Sequence, residues 1–163
     1  MLRYETVEPR TLGLLKKLMQ IPELKQFRLV GDTALALLLG HRTPIDLDLF
    51  TAEPFDKNLI LEALQQNFTD YSIFEPRSSR LLFAHINGIK TDFVHTLEPF
   101  YAELETIDTK RLATLDEIAA FKLNTITGRG AKKNFWDIHR LLKKSLLIRC
   151  LDFTIKNILI TIL

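Results

Sequence analysis

Asp46-Leu47-Asp48 sets two carboxylates one residue apart in an apolar stretch, downstream of Gly31-Asp32 and well upstream of a third acid, Asp92. Residues i and i+2 of a strand project from one face, so Asp46 and Asp48 would point the same way, about 7 Å apart along the chain. Neighbouring carboxylates repel unless a positive charge sits between them. One or two Asp side chains together with substrate phosphates are the ligands that Mg²⁺ takes. The chemistry this implies is metal-dependent phosphoryl transfer, with Asp46 and Asp48 as metal ligands and Asp92 as a third.

The elements that must position these acids are legible in outline. Thr11 to Met19 has the pattern of a helix, Pro22 keeps that helix from continuing, and Phe27 to Val30 is a short apolar strand. Gly31 turns the chain into Thr33 to Leu39, apolar on all faces and so a short buried helix, closed by Gly40. A strand over Ile45 to Phe50 carries the paired acids. Leu59 to Phe68 is helical in periodicity. Tyr71 to Phe74, Arg80 to Ile86 and Ile89 to Val94 are strands, the last two joined by the hairpin dipeptide Asn87-Gly88. From Thr114, a helix cap, the pattern turns helical through Ile126. Gly128-Arg129-Gly130 interrupts it, and a further helix runs from about Asn134 to Lys144.

The expected fold is therefore α+β, a mixed sheet flanked by helices with a C-terminal helical lobe. The division falls within Pro99 to Thr109, giving lobes of residues 1–105 and 106–163. A chain of 163 residues with 47% apolar content suffices for one core or for a core with an appended lobe. Its net charge of +2 excludes a histone-like polycation. The single cysteine, Cys150, has no internal disulfide partner, and the N-terminus lacks a secretory pattern, which together fit a cytoplasmic protein. In the apolar tail, Arg149, Asp152 and Lys156 recur opposite Leu147, Leu151 and Ile155, so an amphipathic helix is expected rather than a membrane span.

The stretch "RLVGDTALALLLGHRTPIDLDLF", with its strand, glycine turn, short helix and Asp46-Leu47-Asp48, resembles the nucleotidyltransferase AbiEii/AbiGii toxin family of the nucleotidyltransferase fold. Lys90-Thr91-Asp92 resembles its second motif. Glu117 and Lys122 in "LDEIAAFKL" resemble its third, and "GRGAKKNFWDIHRLL", with Asp137, its fourth. The resemblance implies transfer of a nucleotide from a nucleoside triphosphate to an acceptor hydroxyl, most naturally the end of a tRNA, by a toxin paired with an antitoxin or acting in phage defence. It implies two Mg²⁺ ions on Asp46, Asp48 and Asp92. Lys122, with Arg129 seven residues on, would hold the phosphates. The nucleotide would lie against Gly31, Asp32 and Thr33 at the start of the short helix. Arg42 could reach phosphate or pair with Asp46. Asp137 would act as a base or orient Lys122, or else pair with Lys133 or Arg140 as an ordinary helix residue.

Two positions depart from that pattern. Asp32 stands where Gly or Ser is usual, and its charge would repel triphosphate at a helix N-terminus. Asn134 stands where an acid is common. These departures keep alive a catalytically degenerate protein that binds nucleotide or a partner, and the three acids would equally serve an enzyme modifying a small molecule or a protein hydroxyl. Lys132, Lys133, Arg140, Lys143 and Lys144 form a basic run available to an RNA backbone. His41, His85, His95 and His139 form no ligand cluster.

Overall fold

The computed structural model describes residues 1–40, 43–128, 137–139 and 141. Helix α1 (Pro9–Gln20) leads through a 3-10 turn at Pro22–Leu24 into strand β1 (Arg28–Val30). Helix α2 (Gly31–Leu39) follows without a linker and ends on Gly40, whose φ of 68° closes the helix in the left-handed conformation. Strand β2 (Leu47–Thr51), helix α3 (Lys57–Asn67) and strands β3 (Tyr71–Phe74), β4 (Leu81–Ile86) and β5 (Ile89–His95) come next. Strands β6 (Glu105–Ile107) and β7 (Lys110–Leu112) precede helix α4 (Leu115–Gly128).

The strands form one mixed sheet in the order β3-β4-β5-β2-β1-β7-β6. Strand β2 runs antiparallel to β1 and parallel to β5. The expected hairpin at Asn87-Gly88 is present, with both residues at positive φ and Ile86 opposite Ile89. A second two-residue hairpin, at Asp108-Thr109, has no counterpart among the elements expected from sequence. Neither residue is glycine, yet both take positive φ, and the turn is held from outside. The Tyr4 hydroxyl donates to Asp108 Oδ2 at 2.8 Å, and Lys110 Nζ donates to the Asp108 carbonyl at 2.7 Å. Strand β7 of this hairpin pairs with β1, so the sheet runs past residue 105 to Leu112.

Alternation along the strands divides the sheet into two faces. Leu47, Leu49, Leu82, Ala84, Ile86 and Phe93 are buried in one core with Leu14, Leu15 and Leu18 of α1 and Ile60 and Leu64 of α3. The intervening residues, among them Asp48, Phe50, Phe83 and Asp92, face the other way. Helix α4 covers part of this second face, where Phe121 meets the Phe50 ring edge-on at 5.4 Å.

Glu117 anchors α4 to the sheet. Thr114 caps the helix as the sequence suggests: its Oγ1 accepts from the Glu117 N–H, and Glu117 Oε2 accepts from the Thr114 N–H, completing a capping box. Glu117 Oε1 accepts from the amides of Tyr101 and Ala102 and lies 3.5 Å from Arg28 NH1. Glu117 is buried, so this carboxylate is the partner that satisfies three amides and one guanidinium around it. Glu117→Ala should therefore lower the unfolding free energy by about 3 to 5 kcal/mol in chemical denaturation, the cost of stranding a buried partner charge and amides. A loss under about 1 kcal/mol would mean the anchor is dispensable.

Candidate active site

Asp48 and Asp92 are Cα partners on the parallel strands β2 and β5, and Val30 is opposite Asp48 on β1. Cross-strand partners share a face and lie about 5 Å apart, so the two carboxylates rise side by side from the middle of the sheet. Sequence alternation places Asp46 inside this strand. Instead β2 begins at Leu47, and Asp46 sits on the preceding segment, where its carbonyl accepts a hydrogen bond from the Thr33 hydroxyl. Asp46 still lines the same cleft of about 530 Å³ as Asp48 and Asp92, together with Gly31, Asp32, Arg80, Lys90, His95, Glu98 and Lys122.

Gly31 is required for this arrangement. Its φ is +65°, and a Cβ added there would overlap Asp48 Oδ2. Sequence reasoning assigns the glycine to close approach of a triphosphate; in the fold it gives the Asp48 carboxylate its seat. Thr33, expected at the nucleotide, is fully buried and holds the Asp46 backbone instead. Arg42 and Arg129 lie outside the described residues, as do His41, Asn134, Cys150, the apolar tail and the basic run of Lys132, Lys133, Arg140, Lys143 and Lys144. Of the helix expected over Asn134 to Lys144, Asp137, Ile138, His139 and Leu141 are described, and they are helical.

Lys122 occupies a tight ionic network. Its ammonium lies 2.6 Å from Asp32 Oδ1 and 2.6 Å from Asp137 Oδ2, and only 5% of the residue is exposed. Asp32 thus neither projects free into the cleft nor merely caps α2: it brings a carboxylate at the start of that helix onto the lysine. Asp137, fully buried, orients Lys122 from the other side. A triphosphate reaching for Lys122 would meet Asp32 already beside it.

Lys90 is a site residue to which sequence reasoning gives no role beyond its place in the motif. It lies two residues before Asp92 on the same strand face, and its ammonium bonds Asp92 Oδ2 at 2.6 Å. Burial alone would lower the Lys90 pKa; the bond and charge of Asp92, with Asp48 and Asp46 behind it, outweigh burial and leave it raised. Strand alternation was the signal available for it.

The acids fit a divalent cation by their chemistry. Asp92 Oδ1 is buried and has no hydrogen-bond partner. Asp48 is pushed up to about 6, chiefly by burial and then by the charges of Asp92 and Asp32. Both observations describe carboxylates short of positive charge. Among the described residues, no group of three or more acidic, histidine or cysteine side chains is placed to hold a metal ion by itself, so a cation here would need ligands from the substrate. One or two aspartates completed by substrate phosphate oxygens is the arrangement Mg²⁺ favours; the in-register pair Asp48 and Asp92 would supply it, with Asp46 lining the same cleft.

The Asp48 shift has a sign that can be measured. Between the unfolded value of 3.8 and the folded value of about 6, the native state holds a proton the unfolded chain has lost. This contribution to stability is complete below about pH 4 and is lost as pH rises through 6, a cost of about 3 kcal/mol by pH 7. Without metal, the wild type should lose about that much stability between pH 4 and pH 7 relative to Asp48→Asn. Mg²⁺ at pH 7 should restore melting temperature to the wild type and not to the variant. Parallel pH profiles for the two proteins would contradict the assignment.

The family model described as nucleotidyl transferase AbiEii toxin, type IV toxin–antitoxin system, matches residues 13–92, which span α1 to Asp92. An uncharacterized protein of Aquifex aeolicus (strain VF5) is 30% identical over 134 residues, 80% of this chain; the chain spans 64% of that relative's length. Among solved structures, JHP933 from Helicobacter pylori superposes with a TM-score of 0.57 at 21% identity, over 90% of this chain and 75% of that one. The Megavirus polyadenylate synthase gives 0.60 at 15% identity, over 83% of this chain and 32% of its own. The antibiotic-resistance factor ANT(2'')-Ia gives 0.61 at 13% identity, over 93% and 95%. These likenesses share the mixed sheet and helices described above and fix the fold class. Over residues 13–92 the chain is thus similar to the AbiEii nucleotidyl transferase toxin family, and its fold is that of the nucleotidyltransferases on which it superposes.

Proposed function

We propose that this protein transfers a nucleotide from a nucleoside triphosphate to the terminal hydroxyl of an RNA, most naturally a tRNA, as the cytoplasmic toxin-like half of a toxin–antitoxin or phage-defence pair. The observation that carries the reading is the Asp48–Asp92 pair, in register at the centre of the sheet and seated against Gly31, with Lys122 across the same cleft.

In the reaction, the acceptor oxygen forms a bond to the α-phosphorus, the α-phosphorus bond to the bridging oxygen breaks, and pyrophosphate leaves. Bound Mg²⁺, with two ions as the expected number, supplies charge neutralisation on the triphosphate. Asp46 and Asp48 hold the triphosphate end of the site. Asp92 completes the acid set and would help to activate the acceptor hydroxyl. Lys122 moves from Asp32 onto a phosphate while Asp137 keeps it aimed into the cleft. Once the three metal acids are set aside, the charged cleft residues are Arg80, Lys90 and Lys122 against Asp32 and Glu98. With all five acids counted the cleft is net acidic, so an anionic acceptor requires the three metal acids to be covered by Mg²⁺.

A second reading, a protein that binds nucleotide without turnover, is favoured by one observation: Asp32 already holds Lys122. A single experiment separates the two. Purified protein is incubated with total bacterial RNA, Mg²⁺ and each labelled nucleoside triphosphate in turn. Label should enter a tRNA-sized band and fall at least about 100-fold with Asp46→Ala, in line with loss of a main electrostatic group. Asp32→Gly should lower the apparent KM for the triphosphate by about tenfold, because one opposing charge leaves the helix start. No label with any nucleotide, in wild type and Asp32→Gly alike, would favour binding without turnover.

A further inference from the structure

The row of cross-strand partners that contains the acids continues outward to the edge of the sheet: Asp48 on β2, Asp92 on β5, Phe83 on β4 and Phe74 on β3. All four share the face that opens into the cleft. Phe74 and Phe83 are stacked, with ring centroids 6.2 Å apart and planes inclined by only 13°. Phe74 is 65% exposed, whereas its strand neighbours Tyr71 and Ile73 pack against the core. An exposed aromatic ring thus stands parallel to a supporting ring on the catalytic face, about 10 Å, or two strand spacings, from Asp92.

Its surroundings are polar and cationic. Ser72, His85 and Lys90 form the adjoining row of partners on the same face, all exposed. The connection between β3 and β4 carries exposed Arg77 and Arg80 alongside exposed Glu75, and Arg80 also lines the cleft. Lys57 fixes that connection by donating to the carbonyls of Pro76 and Ser78 at 3.3 and 3.0 Å. A surface built to dock a protein would extend the apolar area around Phe74. A single exposed ring among cations matches instead the way single-stranded nucleic acid is held, by base stacking beside backbone phosphates.

We propose that Phe74, supported by Phe83, is the acceptor platform: a base at the end of single-stranded RNA stacks on the exposed ring, its phosphates meet Arg77, Arg80 and Lys90, and its terminal hydroxyl is delivered to Asp92. The platform rests on the transferase reading above and narrows its acceptor to an unpaired RNA end. Phe83 is a positioning residue whose ring stacks against Phe74 and holds its orientation.

The test measures RNA affinity without nucleotide or metal, by fluorescence anisotropy with a short labelled single-stranded RNA, beside the transfer assay. Phe74→Leu keeps apolar bulk at an exposed edge position and removes the ring, whereas Phe74→Trp keeps a stacking face. Leucine should weaken binding roughly 5- to 100-fold, and tryptophan should bind at least as well as the wild type, with its fluorescence quenched by the bound base. Circular dichroism melts of both variants matching the wild type would show that the fold is kept. Equal affinity of wild type and Phe74→Leu, or absence of single-strand binding by the wild type, overturns the platform. If Phe74→Leu also labels RNA at the wild-type rate, the platform fails while the transferase stands. If the wild type binds single strands through Phe74 yet labels no RNA with any nucleotide, the transferase reading fails on its own.

Discussion

The fold is organised around an electrostatic conflict at its centre: Asp48 and Asp92 are fixed side by side on parallel strands, and Asp32 and Asp46 add to the same field. Backbone register enforces the proximity, so the carboxylates cannot relax apart without breaking the sheet. Gly31 tightens the constraint, because the space its missing Cβ leaves is filled by the Asp48 carboxylate. A cation resolves the conflict. In this state the Lys90 ammonium meets part of the need at Asp92, and burial leaves Asp48 holding its proton more readily than an ordinary aspartate. Under the proposed reaction, both are substitutes that a divalent ion arriving with a triphosphate would displace.

Lys122 answers the same problem on the opposite wall. It is a buried ammonium, sustained by two carboxylates at hydrogen-bond distance. Such a group is costly to desolvate and is stable only while paired. Asp137 lies in the helical segment beyond α4 and Asp32 at the start of α2, so the lysine also ties the two together. Asp32 takes the place of an anion at a helix N-terminus, next to the lysine that a phosphate would use. If a triphosphate binds there as proposed, it meets an anion already on the lysine, and its affinity depends on how readily Asp32 yields.

The sequence disclosed the parts of this design that depend on short-range rules. Asn87-Gly88 could only be a tight hairpin, Gly40 stopped α2, and the Thr114 cap announced α4. The Asp-x-Asp spacing identified the acids, although alternation alone put Asp46 within a strand that starts one residue later. The hidden parts depend on contacts far along the chain. The Asp108-Thr109 turn carries no glycine, and Tyr4, more than a hundred residues away, holds it; β6 and β7 were therefore missed. Thr33 was given to the nucleotide because its neighbours suggested it, whereas packing buried it against Asp46. The destination of Asp32 could not be read either, since its partner Lys122 lies 90 residues downstream.

Whether the strand acids form a cation site facing a triphosphate across from Lys122 is decided most directly by anomalous diffraction from crystals grown with Mn²⁺ and a non-hydrolysable nucleoside triphosphate analogue. Manganese density should lie between Asp46, Asp48 and Asp92, with Lys90 withdrawn from Asp92 and a phosphate oxygen replacing Asp32 as a partner of Lys122. Manganese bound elsewhere, or a triphosphate that leaves the Asp32–Lys122 pair intact with no metal at Asp48, would contradict that site.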